Sequence, residues 1–213
     1  MNPMRKTVLL VAAALLGSLP LAADEVVRSL DRQFPAAEAS RIHLDFPVGE
    51  VHVEAGAVRA VGVHVELECD SMRTSRCIEA AKKIELVATS GDSLHVELKG
   101  WPKAGNRGLE AKLRVTVPRD LPLTAELGVG EMRISGMESD LDADLGVGEV
   151  SVVMAASAVS EVHVDTGVGE ADLFADGRHW EGSGFIAKEL SWTKGKAEVS
   201  VDCGVGEAEV RLE

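Results

Sequence analysis

The second half of the chain alternates apolar and polar residues on both sides of a recurring Gly-Val-Gly-Glu sequence. Copies begin at Gly128, Gly146, Gly167 and Gly204, and a related Pro-Val-Gly-Glu begins at Pro47. Strict alternation is typical of a strand with one buried face. The inward positions shift by one residue across each copy, which would normally turn the following side chains to the opposite face. The glycines are therefore predicted to form a bend that keeps both flanking strands facing the interior.

The spacing of the copies predicts a repeat fold. The first glycines of the four copies lie 18, 21 and 37 residues apart. Since 37 is close to two short repeats, a degenerate copy is expected around Gly182-Ser183-Gly184. Bends at such intervals are typical of a parallel β-solenoid, a β-helix-like fold. An antiparallel meander, with each Gly-Val-Gly as a hairpin turn, is the alternative. Apolar residues that match column by column between copies favour the solenoid.

The part of the chain before the repeats has a different organisation. Residues 24–117 contain further alternating strands and one short helical pattern within residues 70–84. We interpret them as an N-terminal β-module that caps the first coil, because the open end of a solenoid has to be covered. The sequence thus predicts an all-β protein with this module and with solenoid repeats over residues 118–213.

The first 23 residues have the pattern of a secretory signal peptide. Arg5 and Lys6 precede an apolar run from Val8 to Leu16, and small residues follow up to Ala23. This order is typical of a signal peptide with its cleavage site. The apolar run is shorter than the ~20 residues that a helix needs to cross a bilayer. Residues 1–23 are therefore predicted to be removed on export, which leaves a soluble protein in the periplasm, at the cell surface or secreted.

Composition narrows the range of partners. The net charge is −13, which disfavours nucleic acid and anionic membranes, because phosphate binding draws on clustered Lys and Arg. Cations suit this charge better, although acidity also keeps an exported protein soluble. With four Phe, three Trp and no Tyr, the core has to consist of aliphatic residues.

Two acidic columns accompany the copies. The first column stands two positions before the first turn residue, and the second column follows the second glycine. The members are Asp45, Glu50, Glu126, Glu131, Asp144, Glu149, Asp165, Glu170, Asp202 and Glu207. In stacked coils the neighbours in a column would lie ~4.8 Å apart, so that like charges oppose one another. Either these acids bind divalent cations, for which calcium is the best match to carboxylate oxygens, or they are solvated acids that discourage edge-to-edge aggregation.

The cysteines have two predicted roles. Cys69 and Cys77 are close in sequence, and an oxidising compartment favours a disulfide between them. Cys203 shares the inward column with Leu127 and Leu145, which predicts a buried, unpaired thiol. Zinc binding is not expected, because no Cys or His group has the usual paired spacing.

Four aromatic residues gather near the expected degenerate copy. They are Phe174, Trp180, Phe185 and Trp192. An aromatic cluster at the surface could bind a glycan or a partner protein. The alternative is that these side chains plug the last coil.

No motif points to catalysis. Most histidines alternate with apolar residues, as outward side chains in strands do, and no serine lies in a Gly-x-Ser-x-Gly elbow. The Gly-Val-Gly-Glu copies lack the lysine of a phosphate-binding loop. We therefore expect a protein without enzymatic activity or cofactor.

The layout resembles one known family. An early Pro-Val-Gly-Glu-Val-His-Val segment from Pro47, a Leu-Arg-Val-Thr-Val-Pro strand from Leu113 and the later Gly-x-Gly-Glu units look like the DUF4097 family, whose members are labelled adhesins of bacterial envelopes. The resemblance implies a β-solenoid-like fold, an extracytoplasmic location and no established catalytic site. It transfers architecture better than activity.

These observations give three functional hypotheses. The first is a non-catalytic envelope protein, an adhesin or interaction scaffold that binds an envelope protein or glycan. The second is a regulatory or stress-linked envelope protein that binds a membrane partner. The third, a polysaccharide-active β-helix enzyme, would need Asp, Lys or Arg grouped on one face, whereas the basic residues here are scattered.

Overall fold

A computed structural model describes residues 25–69, 75–102, 108–183, 188–191 and 195–213. These residues form an all-β structure with one short helix, and the mixed sheet is not closed. The elements are β1 (Glu25–Pro35), β2 (Arg41–Gly56), β3 (Ala60–Cys69), α1 (Ser75–Ala81), β4 (Glu85–Thr89), β5 (Ser93–Lys99), β6 (Leu109–Pro118), β7 (Leu123–Ser135), β8 (Leu141–Met154), β9 (Val159–Ala175), β10 (Arg178–Ser183), β11 (Lys188–Ser191) and β12 (Ala197–Leu212). The predicted signal peptide lies outside the described residues.

Five long strands carry the Gly-Val-Gly-Glu copies. These strands, β2, β7, β8, β9 and β12, each run through their copy without a break. They pair side by side, all parallel, in the order β2, β7, β8, β12, β9. Equivalent residues of the copies are aligned, so that glycine stands beside glycine and glutamate beside glutamate. The copies are therefore parallel stacked segments, and the hairpin alternative for these turns is wrong.

The stacking order differs from the order along the chain. Strand β12 lies between β8 and β9, so the copies do not follow one another as successive coils. The expected degenerate copy is also wrong for its described part, because residues 178–183 form β10, which runs antiparallel to β9. The two-residue turn Asp176-Gly177, with φ of 49° and 70°, reverses the chain there. Positive φ at both positions is typical of a type I′ hairpin.

Both halves of each long strand bury alternate side chains. In β8, Leu141 and Leu145 are buried before the bend, and Val150 and Met154 are buried after it. All of them belong to one apolar core. On the side of β2 away from β7, the first half of β2 pairs with β5 and its second half pairs with β6. The sheet is thus folded along the line of bends into a first and a second layer that share a core, and the predicted shift of inward positions across each copy is confirmed.

The second glycine of each copy is required by a close approach between strands. Gly148 has φ of 138°, a conformation that residues with a side chain rarely adopt. A Cβ at Gly148 would overlap the carbonyl oxygen of Gly130 on the adjacent strand. Gly130, Gly206 and Gly169 meet their neighbours in the same way. The bend and the close stacking therefore both depend on a glycine without a Cβ at this position.

The remaining elements extend the layers. Strands β1, β3 and β6 continue the second layer beyond β2, and β4 and β5 continue the first. Cys69 and Cys77 form the predicted disulfide, with 6.1 Å between their Cα atoms, which ties α1 to the end of β3. Cys203 is a free, buried cysteine, also as predicted, and burial raises the pKa of its thiol. Within the described residues, no helix is long and apolar enough to cross a bilayer.

A glycine-to-alanine substitution should lower stability more at a bend than at a glycine with open space around it. We expect Gly148→Ala to lower the free energy of unfolding by about 2 kcal/mol or more, because the alanine is strained at this φ and also meets the neighbouring carbonyl. Gly56→Ala is the matched control, since a Cβ there has nothing within 4 Å, and we expect a change below about 0.5 kcal/mol. Urea denaturation of both variants measures this. Equal losses in the two variants would contradict the role of the close approach.

Candidate functional site

The outward face of the first layer carries a continuous line of acids, here called the carboxylate row. Register places Asp45 beside Glu126, then Asp144, Asp202 and Asp165. Adjacent strands lie ~4.8 Å apart, so the acids of the first predicted column are direct neighbours. The structure adds one residue that the sequence analysis missed. Glu97 on β5 stands beside Asp45 and brings the row to six members.

The centre of the carboxylate row concentrates negative charge. Partial burial raises the pKa of Asp144, and the neighbouring carboxylates of Asp142, Asp202 and Glu126 raise it further. The pKa of Asp142 is raised in the same way, first by burial and then by Asp202. A raised pKa means that the ionised form is disfavoured in the folded protein. The row therefore favours any partner that brings positive charge.

Histidines join the carboxylates at both ends of the row. His163, Asp165 and Asp202 place one ligand atom each within 4.8 Å of one another, and so do Asp45, His95 and Glu97. A third group consists of Asp142, Asp144 and Asp202. Carboxylate oxygens suit hard divalent cations, and an imidazole extends the range to transition metals. These groups are where a cation would have most ligands.

The alternation pattern predicts that these histidines are outward side chains of strands. The outward orientation agrees with the structure: His43 keeps 29% of its side chain exposed and lies 3.1 Å from Glu126. Their position beside the acids was missed. A signal was present, because His95-Val96-Glu97 repeats the spacing of His43-Leu44-Asp45.

The second predicted column forms the glutamate row on the other side of the bends. Its members in stacking order are Glu50, Glu131, Glu149, Glu207 and Glu170. One end is neutralised: Arg133 forms ion pairs with Glu131 and Glu50, and His52 lies 3.1 Å from Glu50. The other three glutamates have no ion-pair partner among the described residues. Among the residues whose side chains are described, the glutamates without a compensating charge therefore lie on β8, β12 and β9.

Between the two rows runs a line of exposed valines, here called the valine ridge. It consists of Val129, Val147, Val205 and Val168 in stacking order. Their exposed fractions are 47%, 46%, 47% and 55%, in that order. Few large apolar residues of the described chain are so exposed, and only Val26 and Val58 join these four. The bends thus present an apolar stripe with acids on either side.

A cleft lies where β7, β8, β9 and β12 begin. Asp140, Asp142, Glu161 and Glu198 line it together with His163. Arg41 is the one lysine or arginine among its described lining residues. Like the carboxylate row that it adjoins, the cleft is suited to a cationic group rather than to an anion.

The predicted aromatic cluster is only partly described. Phe185 and Trp192 lie outside the residues whose side chains the structure describes. The Phe174 ring stacks on His179 with 4.1 Å between centroids, and the guanidinium of Arg211 lies 4.3 Å from the Phe174 centroid. Trp180 packs against the core. Both described aromatics therefore have intramolecular partners: His179 on β10 and Arg211 on β12 for Phe174, and the core for Trp180.

Removing one charge from the carboxylate row should stabilise the fold. We expect Asp144→Asn to raise the free energy of unfolding at pH 7 by up to about 1 kcal/mol, since exposed charge pairs rarely contribute more. Asp120→Asn is the control, because Asp120 is an exposed acid outside the row. Thermal or urea unfolding measures both variants. A destabilised Asp144→Asn protein with an unchanged control would contradict the predicted repulsion.

The stabilisation by Asp144→Asn should also depend on pH. The folded pKa of Asp144 is raised above its ordinary value of 3.8, so in the interval between the two values the folded state binds more protons than the unfolded chain. The wild type therefore gains stability from this group as the pH falls through that interval. We expect the advantage of Asp144→Asn to be largest at neutral pH and to disappear below about pH 4. An advantage independent of pH would contradict this origin.

Comparison with known proteins identifies the family and the fold. A family model described as the N-terminal domain of toast_rack, DUF2154, matches residues 22–174. The DUF4097 resemblance itself is not shown and stays a prediction. No curated protein matches the chain significantly.

The chain is also similar to solved structures. A "putative cell adhesion protein" from Clostridium sporogenes ATCC 15579 is 17% identical with a TM-score of 0.56, over 87% of this chain and 99% of that chain. A "putative adhesin" from Bacteroides fragilis NCTC 9343 is 8% identical with a TM-score of 0.26, over 86% and 97%. A "putative lipid binding protein" from Parabacteroides distasonis ATCC 8503 is 10% identical with a TM-score of 0.27, over 86% and 73%.

These structural similarities differ in weight. At 17% identity, the Clostridium structure shows a shared fold alone, and the TM-scores of the other two are too low to support an argument. The family match is the firmer result, because it extends over more than half of the chain. On that basis, the protein belongs to the family of the N-terminal domain of toast_rack, DUF2154.

Proposed function

We propose that this protein is a non-catalytic, exported envelope protein that serves as an adhesin or interaction scaffold. The observation that carries the proposal is the repetition of identical outward side chains, valine and glutamate, in register on adjacent strands. Such a surface offers a partner the same contacts several times, and repeated contacts raise the total affinity. The predicted signal peptide supports an extracytoplasmic location.

The parallel stack supports a solenoid-like scaffold. Strands β7, β8 and β12 are each hydrogen bonded to a neighbouring strand on both sides. Their outward side chains are therefore held at fixed spacing. We propose that this rigidity, rather than a pocket, is the basis of function. The matching fold of the structure named a "putative cell adhesion protein" is compatible with such a role, although fold by itself does not define function.

Two other functions are distinguished by experiment. A regulatory envelope protein would bind one membrane partner, and a polysaccharide-active enzyme would cleave its ligand. The carboxylate row supplies the grouped acids that such an enzyme would need, but Arg41 is the one lysine or arginine among the described lining residues of the adjoining cleft.

We further propose that the carboxylate row binds divalent cations, with calcium as the first to test. We expect millimolar calcium to raise the melting temperature, because a ligand that binds only the folded state stabilises it. Sodium chloride at equal ionic strength is the control for screening. The double variant Asp144→Asn with Asp202→Asn should show a smaller shift than the wild type. No shift at millimolar calcium would exclude the cation proposal.

Affinity capture tests the scaffold proposal. The purified protein is immobilised and exposed to envelope extract, and soluble envelope glycans are tested in parallel. Retention of glycans without cleavage supports an adhesin, and enrichment of a single membrane protein supports the regulatory alternative. Release of shortened glycans would show an enzyme. If neither protein nor glycan is retained, the scaffold function is refuted.

A further inference from the structure

The five copies separate residues that packing requires from residues that it does not. The inward residue before the turn varies, with four residue types in five copies. It is Phe46, Leu127, Leu145, Thr166 or Cys203. The second glycine is constant because of its close approach to the next strand. The valine before it and the glutamate after it are also constant in all five copies, although neither is fully buried in any of them.

Folding does not account for these two constant outward residues. Threonine has the same branched shape as valine and would suit an exposed strand position equally well. A row of glutamates on adjacent strands is unfavourable, because like charges stand directly beside one another. An exposed apolar side chain and a repelling charge thus recur where the fold needs neither. Recognition of a partner explains both.

The charges around the valine ridge restrict that partner. The glutamate row flanks the ridge on one side and the carboxylate row on the other. A second copy of the chain would bring acids against acids, and an anionic membrane would be repelled in the same way. A complementary partner carries apolar side chains along its centre and Lys or Arg on both sides. The unneutralised glutamates Glu149, Glu207 and Glu170 place the strongest attraction on β8, β12 and β9.

The spacing of the ridge favours a helix over an extended strand. The valines follow one another across strands at ~4.8 Å. An α-helix presents one face every ~5.4 Å, and an extended strand every ~6.7 Å. Across the three intervals between four valines, a helix accumulates a mismatch of about 2 Å and a strand about 6 Å. One turn of a helix can therefore contact each valine in succession.

We propose that the valine ridge docks a basic amphipathic helix of a partner protein. The apolar side chains of the helix lie along Val129, Val147, Val205 and Val168, and its Lys and Arg side chains pair with the carboxylates on either side. This inference rests on the proposed scaffold function and names the partner class of the same surface. An amphipathic helix usually binds its partner through apolar anchors at i, i+3, i+4 and i+7, and here those anchors contact the valines of the ridge.

A defined peptide tests the ridge directly. The probe is a helical peptide of about 18 residues made of Leu and Lys, with leucines on one face at i, i+3, i+4 and i+7. A peptide of the same pattern with Glu in place of Lys is the control probe. Binding to the purified protein is measured by isothermal titration calorimetry. We expect the Lys peptide to bind and the Glu peptide not to bind.

Three sets of substitutions distinguish the contribution of the apolar valines to peptide binding from that of the negative charges. The ridge variant carries V129T, V147T, V168T and V205T, which keep size and charge. The glutamate variant carries E131Q, E149Q, E170Q and E207Q. The control variant removes four exposed acids elsewhere, with E38Q, E85Q, E110Q and D120N. Melting temperatures verify that all three fold.

We expect the ridge and glutamate variants each to bind the Lys peptide at least roughly tenfold more weakly than the wild type, and the control variant less than about threefold more weakly. No binding of the Lys peptide to the wild type overturns the proposal. Threonine substitutions that leave affinity within about threefold overturn it as well, since the attraction would then be charge alone. Equal losses in the control and glutamate variants show nonspecific attraction and also overturn it.

The envelope capture, repeated with the ridge variant, keeps the two proposals apart. If the ridge variant retains the same partner as the wild type, the ridge proposal fails and the scaffold function stands. If the wild type retains no partner or glycan, the scaffold function fails whatever the peptide shows.

Discussion

At each bend, the backbone of one strand lies against the carbonyl oxygen of the next strand, at a position where a Cβ would not fit. Gly130, Gly148, Gly206 and Gly169 meet their neighbours in this way. Because a Cβ would overlap that oxygen, close stacking requires glycine at this position of each copy. The parallel register, the bend that directs both strand halves to one core and the alignment of outward residues all depend on this contact.

The same constraint makes the surface repetitive. Once glycine is aligned with glycine, the valine before it and the glutamate after it are aligned as well, so a feature of one copy becomes a row across the sheet. Rows of apolar residues lose little by this arrangement, whereas carboxylates in a row repel one another. The pKa of Asp144 is raised first by partial burial and then by the neighbouring carboxylates. The fold therefore provides a surface with uncompensated negative charge. Both proposed ligands, a cation and a basic helix, would neutralise it.

The two ends of the stack differ in a way that matters for function. At the β2 and β7 end, Arg133 and His52 compensate the glutamates, and the further strands of the second layer continue beyond them. Towards β9, the described residues leave the glutamates without partners, and His163 joins Asp165 and Asp202. Although the copies are nearly identical, the negative charge that would attract a cationic ligand is therefore concentrated on β8, β12 and β9.

Local patterns in the sequence determined much of this protein. Alternation identified the strands and their inward residues, the shift across Gly-Val-Gly identified the bend, and short spacing identified the Cys69–Cys77 disulfide, because each is a relation between residues close in the chain. The hairpin at Asp176-Gly177 was not predicted, although Asp-Gly between two strands is a hairpin signal. Only the tertiary structure decided the position of β12 between β8 and β9, since copies with the same glycines can stack in any order and the choice rests on contacts between distant segments. Only the tertiary structure also showed that Glu97, His95 and His163 lie beside the acids of the carboxylate row. The alternation within a strand does not say which strands are its neighbours.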